Sequence, residues 1–312
     1  MSSPTMAMDF ANGRQEVAVD QEGNHLDEHG FPDIPSATDA ESNPDQFNAI
    51  SRAALTPDAP EDFTITGPPD GRVQLVAGFI ADGLRFTDGE VRELRGRDEE
   101  LLARALATGD MTRYLDAIVR AGTSRLGEVE DAKELGKALD SLLIGDRDLI
   151  IMQVRRSTYG DVVKLDVVCP LCDAEFKIDY SLANDVPIRG FAAGDDPAQR
   201  VFDLELPKGG ACTLRLVDGA AQKKVYSPEN LARTSAELNT YLLTEVIETL
   251  NGRPVKGVGP VLDMHAADRR AVLDWLIDNA PGPRYQDVKQ ECPECVREFP
   301  LVVSVREMFR GD

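Results

Sequence analysis

The 312-residue chain reads as an α+β protein. Three observations carry that reading: helical periodicity between Asp98 and Gly160, strand alternation from Val162 onward, and two Cys-Pro-x-Cys motifs, each beside alternating residues. At roughly 100–200 residues per domain, the length allows one or two domains. A hydrophobic fraction of 42% suffices for a core, and a net charge of −21 makes the surface acidic. Such a surface repels phosphate backbones, so general nucleic-acid binding is not expected. The longest apolar runs, Leu142-Leu143-Ile144 and Leu149 to Met152, fall far short of the roughly 20 residues of a membrane span. Met1 to Val17 has neither a basic n-region nor an apolar h-region, so no signal peptide is expected.

Residues 1–71 form the first segment. Up to Asp70 they carry fourteen acidic residues against Arg14 and Arg52, with many prolines and no lysine. They are too polar for burial to offset ordering entropy, which predicts a disordered acidic tail. It serves either as a solvating tail or as a docking segment whose Phe47, Ile50 and Leu55 order on a partner. Residues 72–161 are expected to be mainly helical, after a short strand at Val73–Ala77. Asp98 can cap a helix through Leu101, Leu102, Ala105 and Leu106, and Asp110 can cap the next, through Tyr114, Ile118 and Val119. A third helix runs from about Asp131 to Leu143. Gly145-Asp146 starts a fourth, with Arg155 and Arg156 in its last turn and Gly160 beyond.

From Val162 the period changes. Val163, Leu165 and Val167 alternate with Lys164 and Asp166, as Phe176, Ile178 and Tyr180 do with their neighbours. Residues 202–206 and 213–217 read as a hairpin around Lys208-Gly209-Gly210. Two helices follow, one capped by Ser227 with Pro228 at its first position, the other opened by Asp263. Phe299–Val305 returns to strand pattern.

Cys169-Pro170-Leu171-Cys172 and Cys292-Pro293-Glu294-Cys295 are the chemically informative residues. Two residues between cysteines let both sulfurs face one side of a turn, so each pair can fill two corners of a tetrahedron. Proline pre-sets the turn. The spacing therefore predicts a structural four-cysteine Zn2+ site. Residues 162–180 and 286–308 would form a split zinc ribbon, with the hairpin and helices of 181–285 inserted between its halves. The gap between pairs far exceeds the roughly 15–20 residues of an ordinary ribbon. Asp173 and Val296 also stand where a glycine often follows each knuckle. Disulfides or redox dithiols and an iron centre are the rival readings; a redox dithiol prefers a strand-to-helix setting. Cys212 reads as a small core residue.

Other chemistry is sparse. His265 is the sole histidine after the tail and reads as a surface residue. Asp146, Asp148 and Asp161 could be drawn as a carboxylate cluster, but helix capping and first-turn placement explain the first two. Arg147, Arg155 and Arg156 then read as partners of those acids. No catalytic residues are assigned, and no enzyme activity is expected.

The run Leu142-Leu143-Ile144-Gly145-Asp146-Arg147-Asp148-Leu149, then Arg155-Arg156-Ser157-Thr158-Tyr159-Gly160-Asp161, then strand and the first knuckle, resembles the T-even-type bacteriophage baseplate (hub) protein family. That family also occurs in phage-like contractile injection systems. The similarity spans about residues 90–310. It implies a structural or assembly component of a contractile-tail baseplate, docking other baseplate or tail proteins (hub, wedge or tube components). It places the chain in the bacterial cytoplasm during assembly and in the virion tail or injection-particle baseplate. Cys169, Cys172, Cys292 and Cys295 carry over as zinc ligands. The alternative is a nucleic-acid-associated zinc-ribbon protein, which would need a basic face; the ribbon's Lys177 and Arg297 are outnumbered by Asp173, Glu175, Asp179, Glu291 and Glu294.

Overall fold

The computed structural model describes residues 71–192, 195–230, 232–301 and 305–309. The expected acidic tail, with Phe47, Ile50 and Leu55, lies outside the described residues. Strand β1 (Arg72–Ala81) turns at Asp82-Gly83 into β2 (Leu84–Val91), both turn residues having positive φ, 51° and 75°. Two successive positive φ values match the twist of a two-residue hairpin, and Asp-Gly tolerates them. β3 (Thr123–Leu126) completes a three-stranded sheet in the order β1-β2-β3. The register of β1 slips between Gln74 and Phe79, which marks a bulge.

Four helices share a core with this sheet, α4 lying against β1 and α1 against α2: α1 (Gly96–Ala107), α2 (Met111–Gly122), α3 (Ala132–Ser141) and α4 (Ile144–Tyr159). Asp110 caps α2 by accepting from the Arg113 N–H at 3.0 Å, as expected, and Asp131, where the third helix was expected to begin, caps α3 through Lys133 and Glu134. Asp98 is not the cap of α1. Arg95 occupies that position, and Asp98, three residues on, accepts from its N–H at 2.9 Å while Arg92 clamps the same carboxylate. The α4 sequence shows no single apolar stripe, because it is enclosed from several sides. Leu149, Ile150, Ile151, Met152 and Val154 are all buried.

β4 (Val162–Val168) and β5 (Glu175–Ser181) form one antiparallel hairpin; β12 (Lys289–Glu291) and β13 (Glu298–Pro300) form another. Val305 belongs to a short helix, Val305–Met308, and not to the strand expected through Phe299–Val305.

The residues between these hairpins carry more sheet than the sequence pattern suggested. After a two-residue strand β6 (Ile188–Arg189), the expected hairpin appears as β7 (Val201–Glu205) and β8 (Ala211–Arg215). β9 (Ile247–Leu250) and β10 (Arg253–Pro254) extend it to four strands. A short helix, α5 (Gly219–Val225), follows β8. The long helix then starts at Ser235, not after Ser227: Thr234 and Glu237 form a capping box, and Pro228–Asn230 is one separate 3₁₀ turn. Asp263 likewise ends a short helix, α7 (Gly259–Leu262), while His265 precedes α8 (Ala266–Asn279). Both expected caps sat beside helix-compatible residues. The chain spends those residues on an extra turn because the new strand and short helix need it. β11 (Gly282–Pro283) pairs with β6.

Two cores result. One joins the first sheet, α1–α4, both knuckle hairpins and Met308. The other lies between the two hairpins in sequence, around Leu214, Leu243, Val246, Ile247, Val261 and Val272. The fold is thus mixed α/β with several small sheets.

Candidate metal centre

Each Cys-Pro-x-Cys occupies the tip of one hairpin, and the two tips repeat the same backbone pattern. The Cys169 N–H donates to the Ala174 carbonyl at 2.9 Å, and the Asp173 N–H donates to the Cys169 carbonyl at 2.9 Å. In the second knuckle the Cys292 N–H donates to Arg297 at 3.1 Å and the Val296 N–H to Cys292 at 2.9 Å. Closing that turn forces the residue after the second cysteine to positive φ: 58° at Asp173 and 52° at Val296. These are the positions where the sequence departs from the usual glycine. The geometry is kept and the strain is borne by the side chain, more so at β-branched Val296.

The four sulfurs, Cys169, Cys172, Cys292 and Cys295, lie within 4.8 Å of one another. The closest cross-knuckle pairs are Cys169–Cys295 at 3.9 Å and Cys172–Cys292 at 3.6 Å. A tetrahedron with metal–sulfur bonds of roughly 2.3 Å has edges of about 3.8 Å. The donor set therefore fits a four-thiolate ion, and soft thiolates suit zinc or iron. Cys169 and Cys292 are buried, Cys295 is half-buried and Cys172 is exposed. Phe176 and Phe299 meet edge to face behind the sulfurs, centroids 6.4 Å apart.

The sulfurs also polarise one another. Burial pushes the Cys295 thiol up, but Arg297 and the neighbouring thiols outweigh that and bring it down to about 6. The Ala174 N–H favours a Cys172 thiolate, yet desolvation and bonds to the other three sulfurs push it up to about 12. Arg297 also donates to the Leu171 carbonyl at 3.1 Å, tying knuckle to knuckle. Sequence reasoning missed it as part of the site. Its signal was a cation immediately after the second knuckle.

The remaining candidates are placed elsewhere. Cys212 is buried in the second core, and burial pushes its thiol up to about 11. His265 is exposed. Asp146, Asp148 and Asp161 are not one cluster. Asp146 does not cap α4, since Leu143 holds that position. Its fully buried carboxylate accepts from three successive N–H groups in the β1 bulge: Val76 at 2.7 Å, Ala77 at 3.2 Å and Gly78 at 2.6 Å. Desolvation still raises its pKa. Asp161 pairs with Arg156 at 2.6 Å, as expected. Arg147 and Arg155 take other partners. Arg147 donates to the Leu139 carbonyl and to Asp116, and Arg155 donates to the Met308 and Gly160 carbonyls.

The Gly-Asp-Arg…Thr-Tyr-Gly-Asp run is thereby a set of cross-ties. A Cβ on Gly145 would sit 1.7 Å from the Pro281 carbonyl oxygen, so only glycine admits that passing strand. Thr158 accepts from the Leu94 N–H, Tyr159 donates to Glu99, and Gly160 ends α4 at φ 87°. Lys223, in the helix after β8, reaches Asp116 and Asp140. Among the described residues no helix is long and apolar enough to cross a membrane.

Residues 88–205 match the family model described as T4 bacteriophage base plate protein. The match contains the motif run and the first knuckle; the second knuckle lies beyond it. No curated protein and no solved structure matches the chain.

Proposed function

Residues 88–205 belong to the T4-type baseplate protein family, which supports a structural role in the phage baseplate, and from that premise we propose that the chain is a zinc-stapled adaptor joining other baseplate or tail proteins. One observation carries the staple: four sulfurs from two matching knuckles, more than a hundred positions apart, within 4.8 Å of each other. Cys169, Cys172, Cys292 and Cys295 would hold Zn2+ in a closed site. Such an ion has no open position for a substrate, so it supplies rigidity and no catalysis.

In this reading residues 162–180 and 286–308 are the two halves of a split ribbon, and 181–285 is its insertion. The ion fixes the C-terminal hairpin against β4–β5. The same α4 cross-ties that carry the family motif hold the insertion to the helical block. A rigid body of this kind can present docking faces to tail components, each stable interface burying on the order of 1,200–2,000 Å². Contractile injection particles are built on the same kind of plate and are an equivalent setting. Assembly would take place in the bacterial cytoplasm.

Metal analysis of the full chain, with co-sedimentation on assembling tail particles, tests the proposal. The expected result is one zinc per chain, lost in Cys292→Ser together with stable incorporation. Equal incorporation of a zinc-depleted chain would overturn the staple. A chain absent from tail particles would overturn the adaptor.

A further inference from the structure

A cavity of about 520 Å³ lies between the start of α4, the Val217 region, helices α6 (Ser235–Val246) and α8, and the Pro281–Gln286 segment. Its size is in the range of ligand pockets. Leu143, Leu242, Leu273 and Ile277 make its walls largely apolar, and Ile277 is 55% exposed at the mouth. Of the polar groups lining this space, two lack a partner where it matters most. The buried Tyr285 hydroxyl has no hydrogen-bond partner. The Asp148 carboxylate is engaged by no hydrogen bond or ion pair among the described residues.

The cations nearby are already committed. Arg270 is held by Asp274 at 2.8 Å, and Arg284 by Asp287 and the Ile277 carbonyl. Arg147, adjacent in sequence, turns its guanidinium away to Asp116 and the Leu139 carbonyl. A desolvated carboxylate with no counter-charge is costly, and a cation brought from outside removes the cost. Lysine suits the place. Its ammonium is compact and its four-carbon stem can lie along apolar walls.

We propose that this cavity is a docking socket for a partner protein's lysine flanked by apolar residues, the ammonium seated on Asp148 and Tyr285. The proposal rests on the adaptor reading and gives its partner a chemistry. Burial also pushes the Asp148 carboxyl up to about 7, opposed in part by Arg147, which agrees with a site that lacks its counter-ion. The partner segment would insert one side chain, while α8 and the 281–286 segment contact its flanks.

The test uses the full zinc-loaded chain and the peptide N-acetyl-Leu-Lys-Leu-amide, with the Gln and Glu versions as controls, followed by calorimetry and amide chemical shifts. The lysine peptide should bind saturably and shift residues 144–148 and 270–286. Asp148→Asn should weaken it about tenfold or more, as expected for removing one partner of a desolvated charge pair. Tyr285→Phe, which deletes only the hydroxyl, should weaken it by a smaller factor. No saturable binding, equal binding of the Gln peptide, or unchanged binding to Asp148→Asn would overturn the socket. Co-sedimentation with tail particles is read separately. A chain that incorporates normally as Asp148→Asn keeps the adaptor reading and loses the socket. A chain that binds the lysine peptide yet stays out of tail particles keeps the socket and loses the adaptor.

Discussion

Replacing Cys292 with Ser removes one corner of the proposed metal site, and the packing tells how far the damage should spread. Residues 289–301 must be ordered to form the second hairpin, at about 1.5 kcal/mol each, or roughly 20 kcal/mol in all. Against that, Phe299 and Leu301, with Val288 at the segment's edge, are the buried apolar side chains besides the ligand Cys292. At about 1.5–3 kcal/mol each they return roughly 7 kcal/mol. The shortfall of about 13 kcal/mol lies within the roughly 10–16 kcal/mol that a structural zinc contributes in finger peptides. The hairpin therefore should not hold without its ion. Spacing alone would suggest that the whole of 181–291 loosens with it. The structure argues otherwise, because that segment has its own core and is tied to the helical block through Asp116–Lys223 and Gly219–Leu142. Hydrogen exchange on the variant should show zinc lost, residues 289–301 exchanging like free peptide, and residues 201–250 keeping their protection. Protection lost in parallel across 201–279, or a hairpin that stays protected without metal, would refute this reasoning.

Further expectations concern single residues. Asp148→Asn should stabilise the chain at pH 8 and much less at pH 5. Its folded pKa of about 7 lies above the ordinary 3.8, so its contribution to stability is full below that value and is lost as pH rises toward 7. The three-unit difference sets an upper limit of about 4 kcal/mol, read as a pH-dependent gain in melting temperature. Asp146→Ala should cost about 3–5 kcal/mol by urea unfolding, since three N–H groups of the β1 bulge lose one shared acceptor. Gly145→Ala should cost about 1–3 kcal/mol or displace the Pro281 strand, visible as amide shifts there. Val296→Gly should stabilise the second hairpin by about 1 kcal/mol, because the exposed valine packs little and holds φ at 52°.

How much of this was legible follows from the range of each interaction. The knuckles were readable because turn geometry and ligand identity both reside in four consecutive residues, and the Asp110 cap because a cap answers to N–H groups two or three positions away. Asp146 was misread for the same reason. An acid in a first helical turn is what the dipole favours, and nothing local reveals that its carboxylate serves a bulge about seventy residues upstream. Ser227 and Asp263 misled in a related way, being good caps beside sequences that the extra strand β9 and the short α7 made unavailable. Asp148 is the most instructive case. The sequence pattern puts it in a first helical turn, which explains an acidic residue so well that no further role suggests itself, whereas in the structure it is the fifth residue of α4, past that turn. Only the three-dimensional arrangement, with Arg147 drawn off to Asp116 and the Tyr285 hydroxyl left without a partner, distinguishes an ordinary first-turn acid from a carboxylate lacking its cation. A residue's local sufficiency is therefore no guide to whether its charge is satisfied. Unsatisfied charges in apolar surroundings are where a partner's chemistry should be sought.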